Sequence, residues 1–245
     1  MAVPVNPRYS RVVTVLLGAV VLPQARRARR VIPRLPDAAK PWSGEVPGRD
    51  PVSILVLGDS TAAGVGADTQ DDALPGNLAR RLSREWERGA SWRAVGENGA
   101  TTQDIVRRYL AEASTEKYDL IFLSIGANDA LTLRSRAAFR RDFRTILRRL
   151  RSVSPKALIL VSSFPGFGQF ASLPNPLRWA LALHSRSLEE AARRFVRSEP
   201  GVVMSPPAPE YTDGFFATDG FHPSAKGYRE WVDFALVDAK LVRSS

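Results

Sequence analysis

The chain has no cysteine, which excludes disulfides, thiolate zinc sites and a cysteine nucleophile. That absence leaves the compartment open, because a cysteine-free protein can work on either side of a membrane. Histidine is nearly missing as well: His184 and His222 are the only two in 245 residues. Chemistry that needs an imidazole base therefore has almost no choice of residue. No apolar run reaches membrane-spanning length; Val12 to Leu22 suits a signal-peptide core and falls short of a span of about 20 residues. Internal repeats are absent, and so are low-complexity tracts after residue 50.

What the chain has in excess is positive charge, +10 net. Residues 1–50 carry nine Lys/Arg against three Asp/Glu, whereas the remaining 195 residues carry 26 against 22. The basic character thus belongs mostly to an N-terminal arm, and nucleic acid is not an implied partner. Thirty of the 35 cations are Arg, which reads as coding bias before phosphate recognition. The length suits one domain with a substantial core.

In the arm, Arg8 and Arg11 precede the apolar stretch, and Pro23-Gln24-Ala25 leads into Arg26-Arg27-Ala28-Arg29-Arg30 without a small-x-small cleavage pattern. Residues 8–30 fit a helix lying at an anionic membrane surface, which would make peripheral membrane contact. A helix packed on the domain and a cleaved export signal are the competing readings. Localisation is accordingly membrane-associated or exported, with cytoplasmic as the alternative. Pro33 to Pro51 holds five prolines with Gly44 and Gly48, the composition of an extended linker. The expected division is an arm and linker over 1–50 and one folded domain over 51–245.

Beyond residue 51, short apolar runs at 52–57, 92–96, 119–125, 157–163 and 201–204 alternate with helical spacing. Ala137 to Arg151 sets Phe139, Phe143, Ile146, Leu147 and Leu150 on one face, and Leu177 to Val196 and Ala225 to Leu241 behave similarly. Near-continuous apolar strands separated by helices predict an α/β fold: a three-layer α/β/α sandwich with a parallel, flavodoxin-like sheet of about five strands. Such sheets bind ligands at the carboxyl ends of their strands.

Four short motifs fall at those ends. Gly58-Asp59-Ser60 follows the first strand, where a strand-to-helix turn would expose the Ser60 hydroxyl. Taken alone, such a serine more often caps a helix. Glu97-Asn98-Gly99 follows the second strand, and Gly99 can offer an unobstructed backbone N–H or simply serve a turn. Gly126-Ala127-Asn128-Asp129 follows the third, where Asn128 can aim its amide at developing negative charge or form an ordinary strand-end turn. Asp219-Gly-Phe-His222-Pro223 follows the fifth, so one loop can carry a base and the carboxylate that orients it. A metal site is discounted, since His184 sits mid-helix and no other His or Cys completes a shell. His184 reads as structural.

With all four motifs in order, the sequence resembles the SGNH, or GDSL-type, hydrolases, a family of esterases and lipases. The resemblance covers roughly residues 52 to 242. It implies Ser60 as nucleophile, His222 as base and Asp219 as orienter. It also implies an oxyanion hole from the Ser60 and Gly99 N–H groups and the Asn128 amide, and no cofactor. The second block matches more loosely, with Asn98 adjacent to Gly99, and Gly96 is the alternative donor. The implied reaction is ester hydrolysis through an acyl-enzyme.

The apolar segment Phe164 to Trp179, with Phe215, Phe216 and Phe221, can wall an acyl pocket, which favours a lipid or medium-chain ester. Those aromatics could instead pack over neighbouring helices. Three other functions compete: a carbohydrate O-acetylesterase, a non-catalytic binding module on the same scaffold, and a nucleotide-binding protein. For the last, Gly64-Val65-Gly66 is only a fragment of a phosphate loop and lacks its lysine.

Overall fold

The structure, a computed structural model, describes residues 6–238. Its centre is a six-stranded sheet. An antiparallel edge strand β1 (Ser43–Val46) is followed by five parallel strands: β2 (Val52–Gly58), β3 (Ala90–Gly96), β4 (Leu120–Ser124), β5 (Leu158–Val161) and β6 (Val202–Met204). The order across the sheet is β1-β3-β2-β4-β5-β6, so the parallel part has the expected flavodoxin-like arrangement.

Helices cover both faces because β2 alternates its apolar side chains between two cores. Leu55 and Leu57 meet α6 (Arg136–Val153) and α7 (Leu177–Val196) on one side. Ile54 and Val56 meet α3 (Leu74–Trp86) and α8 (Ala225–Asp238) on the other. Helix α6 is capped by Ser135, whose side chain accepts from the Ala138 N–H at 3.2 Å. All five residues expected on its inner face are buried, each contributing about 1.5–3 kcal/mol. The final turn expected up to Leu241 lies partly outside the described residues.

The expected linker departs from expectation. Within it, β1 pairs with β3 from Ser43↔Arg93 to Val46↔Ala90. The Ala38 and Ala39 N–H groups donate to the Ala63 and Asp68 carbonyls, both at 2.9 Å. Proline is tolerated beside an edge strand, which needs backbone donors on one side only. Gly44 is required there because the Trp92 ring lies 2.6 Å from where its Cβ would be.

The N-terminal arm forms α1 (Ser10–Leu16) and α2 (Gly18–Val31), both packed on α7. Among the described residues, no helix is long and apolar enough to cross a membrane. His184, on α7, anchors this packing. Its Nε2 donates to the Arg134 carbonyl at 3.1 Å, which leaves Nδ1 to accept from the Ser10 hydroxyl at 2.9 Å. Burial lowers its pKa from 6.5 to about 4.

The folded protein therefore binds fewer protons here than the unfolded chain between those two values. The stability from this group is present above pH 6.5 and is lost as pH falls toward 4, a loss of up to about 3 kcal/mol. Taking the protein from about pH 7 to about pH 4.5 is expected to lower the melting temperature of the wild type more than that of His184→Gln. Equal losses would mean that the imidazole does not carry this acid sensitivity.

Candidate active site

Strand β2 ends at Gly58, which faces Gly96 on one side and Ser124 on the other. A Cβ on Gly58 would lie 2.2 Å from the Ser124 carbonyl oxygen, and one on Gly96 would lie 2.1 Å from that of Gly58. Glycine at both positions lets three strand ends close tightly beneath the next turn. Gly96 is thus a packing residue of β3, whereas Gly99 lies beyond the strand with φ +87° and open space where a Cβ would be.

Ser60 follows in a series of hydrogen-bonded turns rather than the start of a helix, which corrects the expected strand-to-helix turn. The Ser60 carbonyl accepts from the Val65 N–H at 3.0 Å, and the positive φ of Gly64 and Gly66 stops the turns from growing into a helix. Ser60 is 7% exposed.

Beside it, the buried Asp59 carboxylate accepts from the Thr61 N–H and hydroxyl, both at 3.2 Å, and from the Asn128 amide at 3.3 Å. Burial pushes its carboxyl up to about 6 against the pull of the Thr61 hydrogen bonds and the nearby His222.

On the opposite loop, Asp219 does two jobs. Its Oδ1 accepts from the Phe221 and His222 N–H groups at 2.9 and 3.0 Å, which shapes the turn. Its Oδ2 accepts from the His222 Nδ1–H at 2.6 Å, the tautomer in which Nε2 carries the lone pair that a base needs. Burial opposes ionisation of Asp219, but these hydrogen bonds outweigh it and hold the carboxyl below its ordinary value. Ser224 then caps α8, accepting from the Gly227 N–H at 3.1 Å.

Two contacts bring the Ser60 and His222 loops together across some 160 residues of sequence. The buried Tyr228 hydroxyl donates to the Val65 carbonyl at 2.7 Å. Gly66, with φ +96°, lies so close to the His222 loop that a Cβ would sit 2.2 Å from the Pro223 carbonyl oxygen. Ser60 and His222 consequently line one cavity.

Neither Asn128 nor Gly99 is in the wall of this cavity, though Asn128 is bonded to Asp59, which is. Asn128 sits in α5 (Ala127–Leu131), and its amide donates to Asp59 and, at 3.2 Å, to the carbonyl of Ala100, the residue after Gly99. The two loops are tied by Asp129. This fully buried carboxylate accepts from the Thr102 N–H at 2.9 Å and hydroxyl at 2.6 Å, and pairs with Arg134 at 2.9 Å. Sequence reasoning missed Asp59, Asp129 and Tyr228. The available signal was a carboxylate embedded in each of two strand-end motifs.

The cavity has a volume of about 390 Å³, and its wall is mostly aromatic and aliphatic. Phe164, Phe167 and Phe170 enter from one loop, Tyr211, Phe215, Phe216 and Phe221 from another, and Trp231 and Phe234 from α8. The rings interlock, with Phe170–Phe216 centroids at 4.9 Å and Tyr211–Phe215 at 4.4 Å. Of the segment expected to wall the pocket, the first half does so. In the second half, Leu173 and Leu177 pack into the main core and Trp179 is exposed.

Residues 56–230 match the model of the GDSL-like lipase/acylhydrolase family. A GDSL-like esterase of Mycobacterium tuberculosis is 30% identical over 255 residues, spanning 92% of this chain and 79% of that protein. Among solved structures, the lipase Lip_vut3 from a goat rumen metagenome has a TM-score of 0.60 at 16% identity, covering 79% of this chain and 100% of that one. The family 3 carbohydrate esterase of Clostridium thermocellum has a TM-score of 0.58 at 16% identity, covering 78% and 98%. At these identities the structural likeness concerns the fold.

Proposed function

Since the chain belongs to the GDSL-like lipase/acylhydrolase family of ester hydrolases, we propose that it cleaves lipid or medium-chain acyl esters through an acyl-enzyme on Ser60. The observation that carries this reading is the opening of Ser60 and the Asp219-held His222 into one aromatic-walled cavity. An ester carbonyl at Ser60 would leave its acyl chain among the phenylalanine rings, within the size range of small-molecule pockets.

In this mechanism the His222 Nε2 takes the Ser60 proton as the hydroxyl attacks the carbonyl carbon. Asp219 stabilises the imidazolium, and the collapsing intermediate expels the alcohol, which receives that proton. Water then repeats the sequence on the acyl-enzyme and releases the acid. The oxyanion is held by the N–H groups of Ser60 and Gly99 and by the Asn128 amide. The resting hydrogen bonds of Asn128, at 3.2 and 3.3 Å, are long ones that a fully charged oxygen can displace. Each such donor is worth about 2.7–4 kcal/mol in the transition state.

A second reading, removal of acetyl groups from a carbohydrate, is favoured by Glu210, Glu230 and Asp233 on the cavity wall, which could accept from sugar hydroxyls. A p-nitrophenyl ester series from acetate to palmitate separates the two. Turnover is expected to rise from acetate to medium chains. A maximum at acetate with no tolerance for longer chains would defeat the acyl-pocket reading and favour the acetylesterase.

A further inference from the structure

Helix α1 is inside out. Its inward residues are the polar Ser10 and Thr14, 1% and 4% exposed, with the Ser10 hydroxyl on His184 and the Thr14 hydroxyl on the Ser10 carbonyl at 2.8 Å. Its outward residues are apolar: Val12 is 58% exposed, Val15 72% and Leu16 78%. Tyr9, just before α1, and Val20 and Leu22, from α2, are exposed apolar side chains as well. A helix whose outer face met only water would show the opposite order, and a clustered apolar surface of this kind marks a docking site.

Charge identifies what docks. Residues 6–36 hold seven arginines and no Asp or Glu. Arg8 and Arg11 flank the apolar face, and Arg26, Arg27, Arg29 and Arg30 follow on α2, all exposed. Among the described residues none of these six forms an ion pair. An apolar face bordered by uncompensated guanidinium groups complements a bilayer with anionic headgroups, whose boundary takes the apolar side chains while its phosphates meet the arginines.

We propose that α1 and α2 dock this protein peripherally on an anionic lipid surface. The docking helices are tied to the segment after the third phenylalanine of the cavity wall. Gln24 of α2 donates to the Asn175 carbonyl at 2.7 Å and accepts from the Leu177 N–H at 3.0 Å. These partners lie in the second half of the segment whose first half walls the cavity. Docking does not depend on the reaction at Ser60, and its test does not use turnover as its readout.

The experiment is co-sedimentation of the full chain with phosphatidylglycerol vesicles and with phosphatidylcholine vesicles, for the wild type and two variants. The wild type is expected to bind phosphatidylglycerol and to lose that binding as salt is raised. Val15→Asp/Leu16→Asp, with an unchanged melting temperature, is expected to bind at least tenfold more weakly. Replacing Arg26, Arg27, Arg29 and Arg30 with glutamine should weaken binding by about fivefold per arginine, corresponding to about 1 kcal/mol each. Equal binding by the wild type and the aspartate variant would overturn the proposal, as would equal affinity for the two lipids. Light scattering that shows a dimer, broken by Leu16→Asp, would assign the face to a second copy of the chain and overturn it too.

Discussion

Ser60→Ala is expected to lower kcat/KM for a p-nitrophenyl ester by roughly 10⁴-fold or more while leaving the melting temperature nearly unchanged. The size of the effect follows from the chemistry: without the hydroxyl no acyl-enzyme forms, and only electrostatic stabilisation of attack by water remains. The fold should survive, because the strand ends around Ser60 are closed by Gly58, Gly96 and the Asp59 hydrogen bonds rather than by the serine side chain. His222→Ala should cost a similar factor. The double variant should be no worse than either single one, since the two groups act as a unit. Additive losses, or appreciable turnover by Ser60→Ala, would mean that a different residue attacks the ester.

The second large effect is expected at a residue without a side chain. Gly66→Ala must hold alanine at φ +96° and place a methyl 2.2 Å from the Pro223 carbonyl oxygen. The backbone strain alone costs about 1–3 kcal/mol. The clash is with backbone, so the His222 loop has to move away from the Ser60 turn. Turnover is expected to fall by roughly 100-fold, the scale of a small misplacement of reacting groups, together with a clear drop in melting temperature. Gly99→Ala provides the contrast: its φ is +87° but nothing lies within 4 Å of the added carbon, so it meets backbone strain without a collision. Equal tolerance at the two positions would show that the Gly66–Pro223 contact does not set the spacing of the two loops.

Strands β2, β4 and β5 were legible because they are buried on both faces and read as apolar runs, whereas β3, with Ser91 and Arg93 partly exposed, and the short edge strand β6 are only partly buried. The core face of α6 was legible because Phe139, Phe143, Ile146, Leu147 and Leu150 keep helical spacing. Strand β1 was not, because Ser-Gly-Glu-Val is an edge strand with no apolar run and neighbouring prolines. The turn after Ser60 was misjudged as a helix start, since the positive φ at Gly64 and Gly66 is set by close packing rather than by local propensity.

The four motifs were visible as weak signals whose order made them specific. What couples them was hidden: the Asp59–Asn128 bond, the Asp129 anchor on Thr102 and the Tyr228 contact with Val65 all join residues 27 to 163 positions apart. Composition drew attention to the N-terminal arm, but it could not show which side faces in. There the polar Ser10 and Thr14 turn toward α7 while Val12, Val15 and Leu16 turn outward.

The central claim, that the Ser60 hydroxyl is the activated nucleophile, is met most directly by treating the intact protein with a fluorophosphonate and mapping the adduct by peptide mass spectrometry. Stoichiometric labelling on the peptide carrying Ser60, lost in His222→Ala, is the predicted result. An unlabelled Ser60 peptide in folded protein, or an adduct on another serine, would contradict the account.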